Sequence, residues 1–203
     1  GVGFQPDWTW IKDRTGTNAH VFTDAVRGAN YQIYSNLTNA QTNASGYLTA
    51  FASDGFTLGT DGAVNQNSSN YASWNWKAGN SSGSSNSDGS ITSTVSVSTD
   101  AGFSIVKYTG TGSNATVGHG LGAVPKMLIT KRYDSASENW TMYHVGRGNT
   151  KYLFLNKDFA EGTDSSYWNN TTPTSSVFSI STNDNVNTSS GVYICYCFAE
   201  KKG

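Results

Sequence analysis

Short apolar runs separated by clusters of Gly, Asn, Asp and Ser recur from one end of the chain to the other. This is the pattern of strands punctuated by turns. Within Trp8–Lys12, the side chains of Trp8, Trp10 and Lys12 share one face and those of Thr9 and Ile11 the other. Ile91, Val95 and Val97 alternate with Ser and Thr, as in a half-buried strand. Phe103–Tyr108, Met127–Lys131, Tyr152–Leu155 and Val192–Ala199 predict further strands. Nowhere does an apolar 3.6-residue period persist over several turns without Gly, Pro or β-branched interruption, so helices are expected to be few and short. Many short strands at regular spacing predict an all-β fold, a sandwich or a barrel.

The pattern also repeats. Pro6-Asp-Trp-Thr-Trp-Ile-Lys12 matches Pro125-Lys-Met-Leu-Ile-Thr-Lys131, Val26-Arg-Gly28 matches Val145-Gly-Arg-Gly148, Gly55-Phe-Thr-Leu58 matches Val177-Phe-Ser-Ile180, and Tyr71–Trp76 matches Tyr193–Phe198. The order is kept throughout, which predicts an internal duplication. Residues 1–77 form the first repeat and 91–203 the second, with the Ser/Gly/Asn-rich stretch 78–90 as linker or surface loop. The second repeat has an additional beginning, Gly102–Tyr108 and Thr109–Gly122, ahead of Pro125; the first has only Gly1–Phe4 ahead of Pro6. A strand is therefore expected to be missing from the front of the first repeat. Ile91–Val97, a removed upstream segment or a neighbouring subunit could replace it, or a loop could cover the edge.

Composition narrows the function. The chain has 203 residues, 13 basic against 14 acidic, with 13% charged residues and 13% aromatic. Ser, Thr and Asn make up roughly a third, well above ordinary usage. The absence of a basic excess argues against a nucleic-acid partner, and no apolar run is long enough for membrane insertion by a helix. The two cysteines, Cys195 and Cys197, fall two apart on one predicted strand. They read as buried thiols on one face, not as a disulfide or a metal half-site.

Little in the sequence carries reactive chemistry. Only Glu138, Glu161 and Glu200 represent glutamate, and no alternating acidic run of the glucanase kind occurs to supply a carboxylate pair. No Gly-x-Ser-x-Gly elbow is present, and His20, His119 and His144 are scattered. The reading is therefore non-enzymatic and without a cofactor. One exception is Asn183–Asn187, where Asp184, Asn185 and Asn187 cluster oxygens that a structural calcium could take from a loop; a plain hairpin loop is the alternative. Arg27 and Arg147 occupy matching places in both repeats, as ligands for an acidic group or as braces across a turn. Tyr167, Trp168 and Asn169, like Tyr47, lie in loop-like surroundings, where aromatic rings stack on a sugar or cap the core. The paired tryptophans Trp8, Trp10, Trp74 and Trp76 read as core.

The segments Gly3–Gly16, Asp24–Gly28, Asp54–Gly59, Ser73–Lys77, Tyr108–Gly112, Val117–Gly122 and Tyr167–Thr171, taken together, resemble repeats in structural proteins of tailed bacteriophages, marine ones especially. The resemblance spans nearly the whole chain. It implies a concanavalin A-like, lectin/glucanase-type antiparallel β-sandwich (jelly-roll) with two duplicated halves. It also implies a virion or extracellular location, as a tail fibre, receptor-binding protein or capsid decoration. The implied partners are copies of the chain itself, other virion proteins and a host surface glycan. Structural and adhesive work is the first expectation, a carbohydrate-binding receptor-recognition module the second, and a glycan-degrading tail enzyme the third.

Overall fold

The computed structural model describes residues 1–201. Strands hold 41% of the chain and helices 6%. The strands are β1 (Trp8–Asp13), β2 (Val21–Asp24), β3 (Tyr31–Tyr34), β4 (Thr42–Asn43), β5 (Leu48–Ala52), β6 (Gly55–Leu58), β7 (Tyr71–Trp76), β8 (Ser84–Asn86), β9 (Ser93–Ser98), β10 (Phe103–Thr109), β11 (Ala115–Gly118), β12 (Pro125–Arg132), β13 (Thr141–His144), β14 (Lys151–Phe154), β15 (Gly162–Thr163), β16 (Val177–Ile180) and β17 (Val192–Ala199). The helices α1 (Gly62–Asn65), α2 (Ser165–Trp168) and α3 (Asp184–Asn187) are single turns. A lone turn is too short to hold itself. Each is started by a capping side chain at its N-terminus: Asp61, Asp164 and Asn183 accept from the backbone N–H two residues on.

All named strand pairs are antiparallel, and the sheets stack as a sandwich rather than closing into a barrel. The first repeat supplies a five-stranded sheet in the order β4-β3-β2-β1-β7. The second, joined at one edge by β8 from the 78–90 stretch, supplies an eight-stranded sheet, β15-β14-β13-β12-β17-β10-β9-β8. Two small ladders, β5-β6 and β11-β16, complete the set.

Alternation along the strands explains the stacking. On β17, Ile194 and Tyr196 enter one core cluster while Tyr193, Cys195 and Cys197 enter another. Both faces of this strand are buried, which is why Val192–Ala199 reads as an almost unbroken apolar run. The central cluster lies between the two large sheets. Trp8, Phe22 and Ile33 of the first repeat meet Phe103, Ile105, Trp140 and Tyr196 of the second there. Trp8 stacks on Trp76 and Tyr196, both at 4.2 Å between ring centroids, and meets Phe22 edge-on at 4.9 Å. Outside the eight-stranded sheet, β11, β16, α2 and α3 close a second core. Outside the five-stranded sheet, Phe56, Leu58, Ala63 and Val64 close a third. Cys195 and Cys197 are free, buried and on one face, their sulfurs 3.7 Å apart.

The duplication is visible bond by bond. The Tyr71 hydroxyl accepts from Gln66 N–H and donates to the Gly62 carbonyl; the Tyr193 hydroxyl accepts from Thr188 N–H and donates to the Asp184 carbonyl. Gly59 N–H donates to the Tyr47 carbonyl as Ser181 N–H does to that of Tyr167. Lys12 and Lys131 each direct Nζ at carbonyls of the turn that follows.

Two expectations change in detail. Ile91–Val97 does not complete the first repeat, because β9 pairs with β10 and β8 inside the eight-stranded sheet. The stretch 78–90 is tethered: Asp7 Oδ2 accepts from Ala78 N–H at 2.7 Å and Asn80 N–H at 3.0 Å, and β8 pairs with β9.

Candidate functional site

The side chains singled out from the sequence do not gather at one place; each is engaged by its own neighbours. Tyr167 and Trp168 end the turn α2 and are buried in the outer core of the second repeat. Tyr167 stacks on Tyr152 at 3.8 Å, and Trp168 meets Tyr143 edge-on at 6.1 Å. Neither ring offers a face to solvent, so of the two readings the sequence left open, a sugar platform or a cap on the core, these two residues take the second. The cause is the turn itself, which winds both rings inward beneath β14. Asn169 follows in the left-handed conformation, φ 52°, and is exposed; its Oδ1 accepts from Asn114 Nδ2 at 3.1 Å. Tyr47, the counterpart of Tyr167, shares a 2.9 Å hydrogen bond with Tyr34.

Arg27 is buried with Asp24. Its Nε donates to Asp24 Oδ2 at 2.6 Å, and its terminal nitrogens reach the carbonyls of Tyr31 and Phe22. The other Asp24 oxygen accepts from the backbone N–H groups of Val26 and Arg27. This is brace geometry: every bond is intramolecular and ties β2, β3 and the turn between them. Arg147 differs. It is more than half exposed and pairs with Glu161, whose carboxyl it holds below the usual range. Lys151 lies 3.6 Å from Glu161 as well. His144 stands at the place where the first repeat has Asp24, so the second arginine has no buried carboxylate to enter.

The oxygens of α3 point in several directions. Asn187, fully buried, accepts from Thr111 N–H at 2.7 Å and donates through Nδ2 to the carbonyls of Ser113 and Ser181. Asn185 Oδ1 accepts from Asn139 N–H at 2.6 Å, and Asp184 Oδ1 accepts from the Thr188 hydroxyl at 2.7 Å. Asp184, Asn185 and Asn187 thus bond to three separate sets of partners. Among the described residues no group of three His, Cys, Asp or Glu side chains converges as a metal site.

Sequence reasoning passed over two features. Asp24 and Tyr196 meet across the central core, a contact between distant segments that no local pattern encodes. Asn187 grips the turn between β10 and β11, and its counterpart Asn65 stands at the same place in the first repeat. The matching asparagines in two aligned loops were a readable signal.

An open cleft of about 510 Å³ lies on the first repeat, lined by Gly1, Val2, Asp54, Gly55, Phe56 and Ser73 among others. It sits where β6 and β7 approach each other at the sheet margin.

No curated protein and no solved structure matches this chain. A family model described as a domain of unknown function matches residues 1–203, and the chain belongs to that family, DUF7483.

Proposed function

We propose that this chain is a non-enzymatic structural module of a tailed-bacteriophage particle, acting outside the cell as part of a fibre or a surface decoration. The resemblance of its segments to phage repeats sets the context. The observation that carries the structural role is the use of the candidate chemical groups. Arg27, Asp24, Asn187, Tyr167 and Trp168 are each committed to bonds or packing that hold one part of the fold to another. A charge-poor surface rich in Ser, Thr and Asn suits a part that packs against copies of itself and other virion proteins. Adhesion to a host glycan would then come from many weak contacts on exposed loops, summed by multivalency.

The test is location. Antiserum raised against residues 1–203, applied to purified particles of the encoding phage, should label the particle in electron microscopy. A particle that carries none of the chain overturns the proposal. Release of reducing ends from host polysaccharide by the purified chain overturns the non-enzymatic part.

A further inference from the structure

The stretch Gly118-His-Gly-Leu-Gly122, which leads out of β11 toward β12, is held by one imidazole. His119 is fully buried. Its Nδ1 accepts from Leu121 N–H at 3.2 Å, which leaves the ring proton on Nε2, and Nε2 lies 3.2 Å from the Thr174 carbonyl. The backbone N–H of His119 donates to the Ser176 carbonyl at 3.1 Å. Both carbonyls belong to the stretch Thr172–Ser176, whose residues are exposed apart from Pro173. One neutral ring thereby fastens the loop after β11 to the loop before β16.

Within Gly118–Gly122, Leu121 alone sets an apolar side chain into the outer core. The ring has glycine on both sides, and Gly120 and Gly122 take φ 70° and 65°; without side chains these positions leave the loop free to turn. The adjoining layers are fastened without the ring. β11 pairs with β16, the Ser93 hydroxyl donates to the Gly118 carbonyl at 2.9 Å, and Ile91 N–H donates to the Thr116 carbonyl at 3.0 Å. Loss of the ring's bonds would therefore free the two loops before it freed any sheet.

Asp88 is the charged group that acts on the ring. β9, β11, β16 and the two loops contribute apolar, hydroxyl and backbone groups, without another titratable side chain. Burial outweighs Asp88 and holds the imidazole below its ordinary pKa of 6.5. A proton added to Nδ1 would set two donors face to face, the new ring N–H and that of Leu121. It would also place a charge where water does not reach.

We propose that His119 is the pin of an acid-operated latch between the loops Gly118–Gly122 and Thr172–Ser176. With the ring uncharged the two loops are held together; when Nδ1 takes up a proton they part, and the sheets stay closed. In the open form the ring is solvated and binds the proton with the ordinary affinity of an imidazole; in the closed form it binds more weakly. The open population therefore grows as pH falls through about 6.5. One unit below that value the open form gains up to about tenfold over the closed. The surface released is that of Leu121 and of the ring itself. The latch goes beyond the structural-module proposal and works wherever the chain resides.

The test is amide hydrogen exchange of the intact chain at pH 7.5 and 5.5, corrected for the intrinsic rate and repeated in urea up to about 1 M. Protection of the Leu121 amide is expected to fall several-fold, up to about tenfold, between the two pH values. Its exchange should not respond to the urea, because parting two loops exposes little surface, whereas the amides of Ile194 and Tyr196 on β17 should respond as whole-fold opening does. His119→Asn, which keeps an acceptor for Leu121 and cannot charge, should abolish the pH dependence. Asp88→Asn, an exposed change, should deepen the fall by removing the anion that favours a charged ring in the closed form. Leu121 protection that is equal at the two pH values overturns the latch. So does Leu121 exchange that rises with urea in parallel with Ile194, a fall that persists in His119→Asn, or a fall that Asp88→Asn does not deepen. Particle labelling bears on the virion proposal alone, so the failure of either leaves the other standing.

Discussion

The hydroxyl of Tyr196 donates to the carboxylate of Asp24 at 2.8 Å, joining the last strand of the second repeat to the second strand of the first. The same carboxylate takes the Nε–H of Arg27. Both oxygens of a buried anion are thus satisfied by groups drawn from the turn it starts and from the opposite sheet. Removing one neutral donor leaves the ion pair intact, so Tyr196→Phe is expected to cost about 1–2 kcal/mol. Asp24→Asn strands the buried guanidinium and is expected to cost about 3–5 kcal/mol. Urea titrations of the two variants check the order; a larger loss in Tyr196→Phe would contradict the assignment of Asp24 as the anchor.

Trp168 is a core residue, and its removal should act on stability first. Trp168→Ala deletes a ring 2% exposed that packs on Tyr143, an expected loss of about 3–5 kcal/mol. Any sugar binding lost in this variant would reflect unfolding. A glycan screen is better served by changing an exposed ring such as Trp74, whose loss should leave the melting temperature within a few degrees of the wild type.

His119 makes the fold sensitive to mild acid. Its Nδ1 accepts from Leu121 N–H at 3.2 Å and its Nε2 lies 3.2 Å from the Thr174 carbonyl, an arrangement suited to the neutral ring. Burial lowers its pKa below the ordinary value of 6.5. The unfolded chain therefore takes up a proton first as pH falls below about 6.5, and stability drops in that window. His119→Asn keeps an acceptor for Leu121 and cannot titrate. Its stability relative to wild type should rise between pH 7.5 and 5.5, roughly by up to 1 kcal/mol per pH unit crossed.

Lys131 has the opposite margin. Its side chain is inaccessible, and burial pulls its pKa down to about 8 although Glu138 and Asp134 oppose the shift. Below that pH the fold carries a buried ammonium. Above it the folded chain gives up the proton while the unfolded chain holds it toward 10, so stability rises with pH across this interval. The full interval bounds the effect at about 3 kcal/mol. Lys131→Met should flatten the difference between pH 7.5 and 9.5, measured before tyrosine ionisation in the unfolded chain reverses the trend.

The strands that carry large alternating residues were legible from the chain alone, as were the duplication and the paired thiols. What escaped was short or polar. β8 is Ser-Ser-Asn, with no apolar face to betray it; its approach to β9 needs Gly83, at φ 90°, where a Cβ would meet Thr94 and Val95 at 2.9–3.1 Å. The sequence left Tyr167 and Trp168 open between a sugar platform and a cap on the core for another reason. A four-residue helix has no period to detect, and the rings go where β14 and β16 leave room. The contact of Asp24 with Tyr196 depends on the stacking of two whole sheets, which lies beyond any local reading.

β17 lies between β10 and β12 in the eight-stranded sheet, yet both neighbours precede it along the chain. During synthesis the two flanking parts of that sheet must wait, each with an unpaired edge and an uncovered apolar face, until β17 leaves the ribosome. Folding is therefore set by the slowest, longest-range pairing available. A nascent chain stalled before Val192 would be a substrate for chaperones and self-association, whereas emergence of β17 would close both edges in one step.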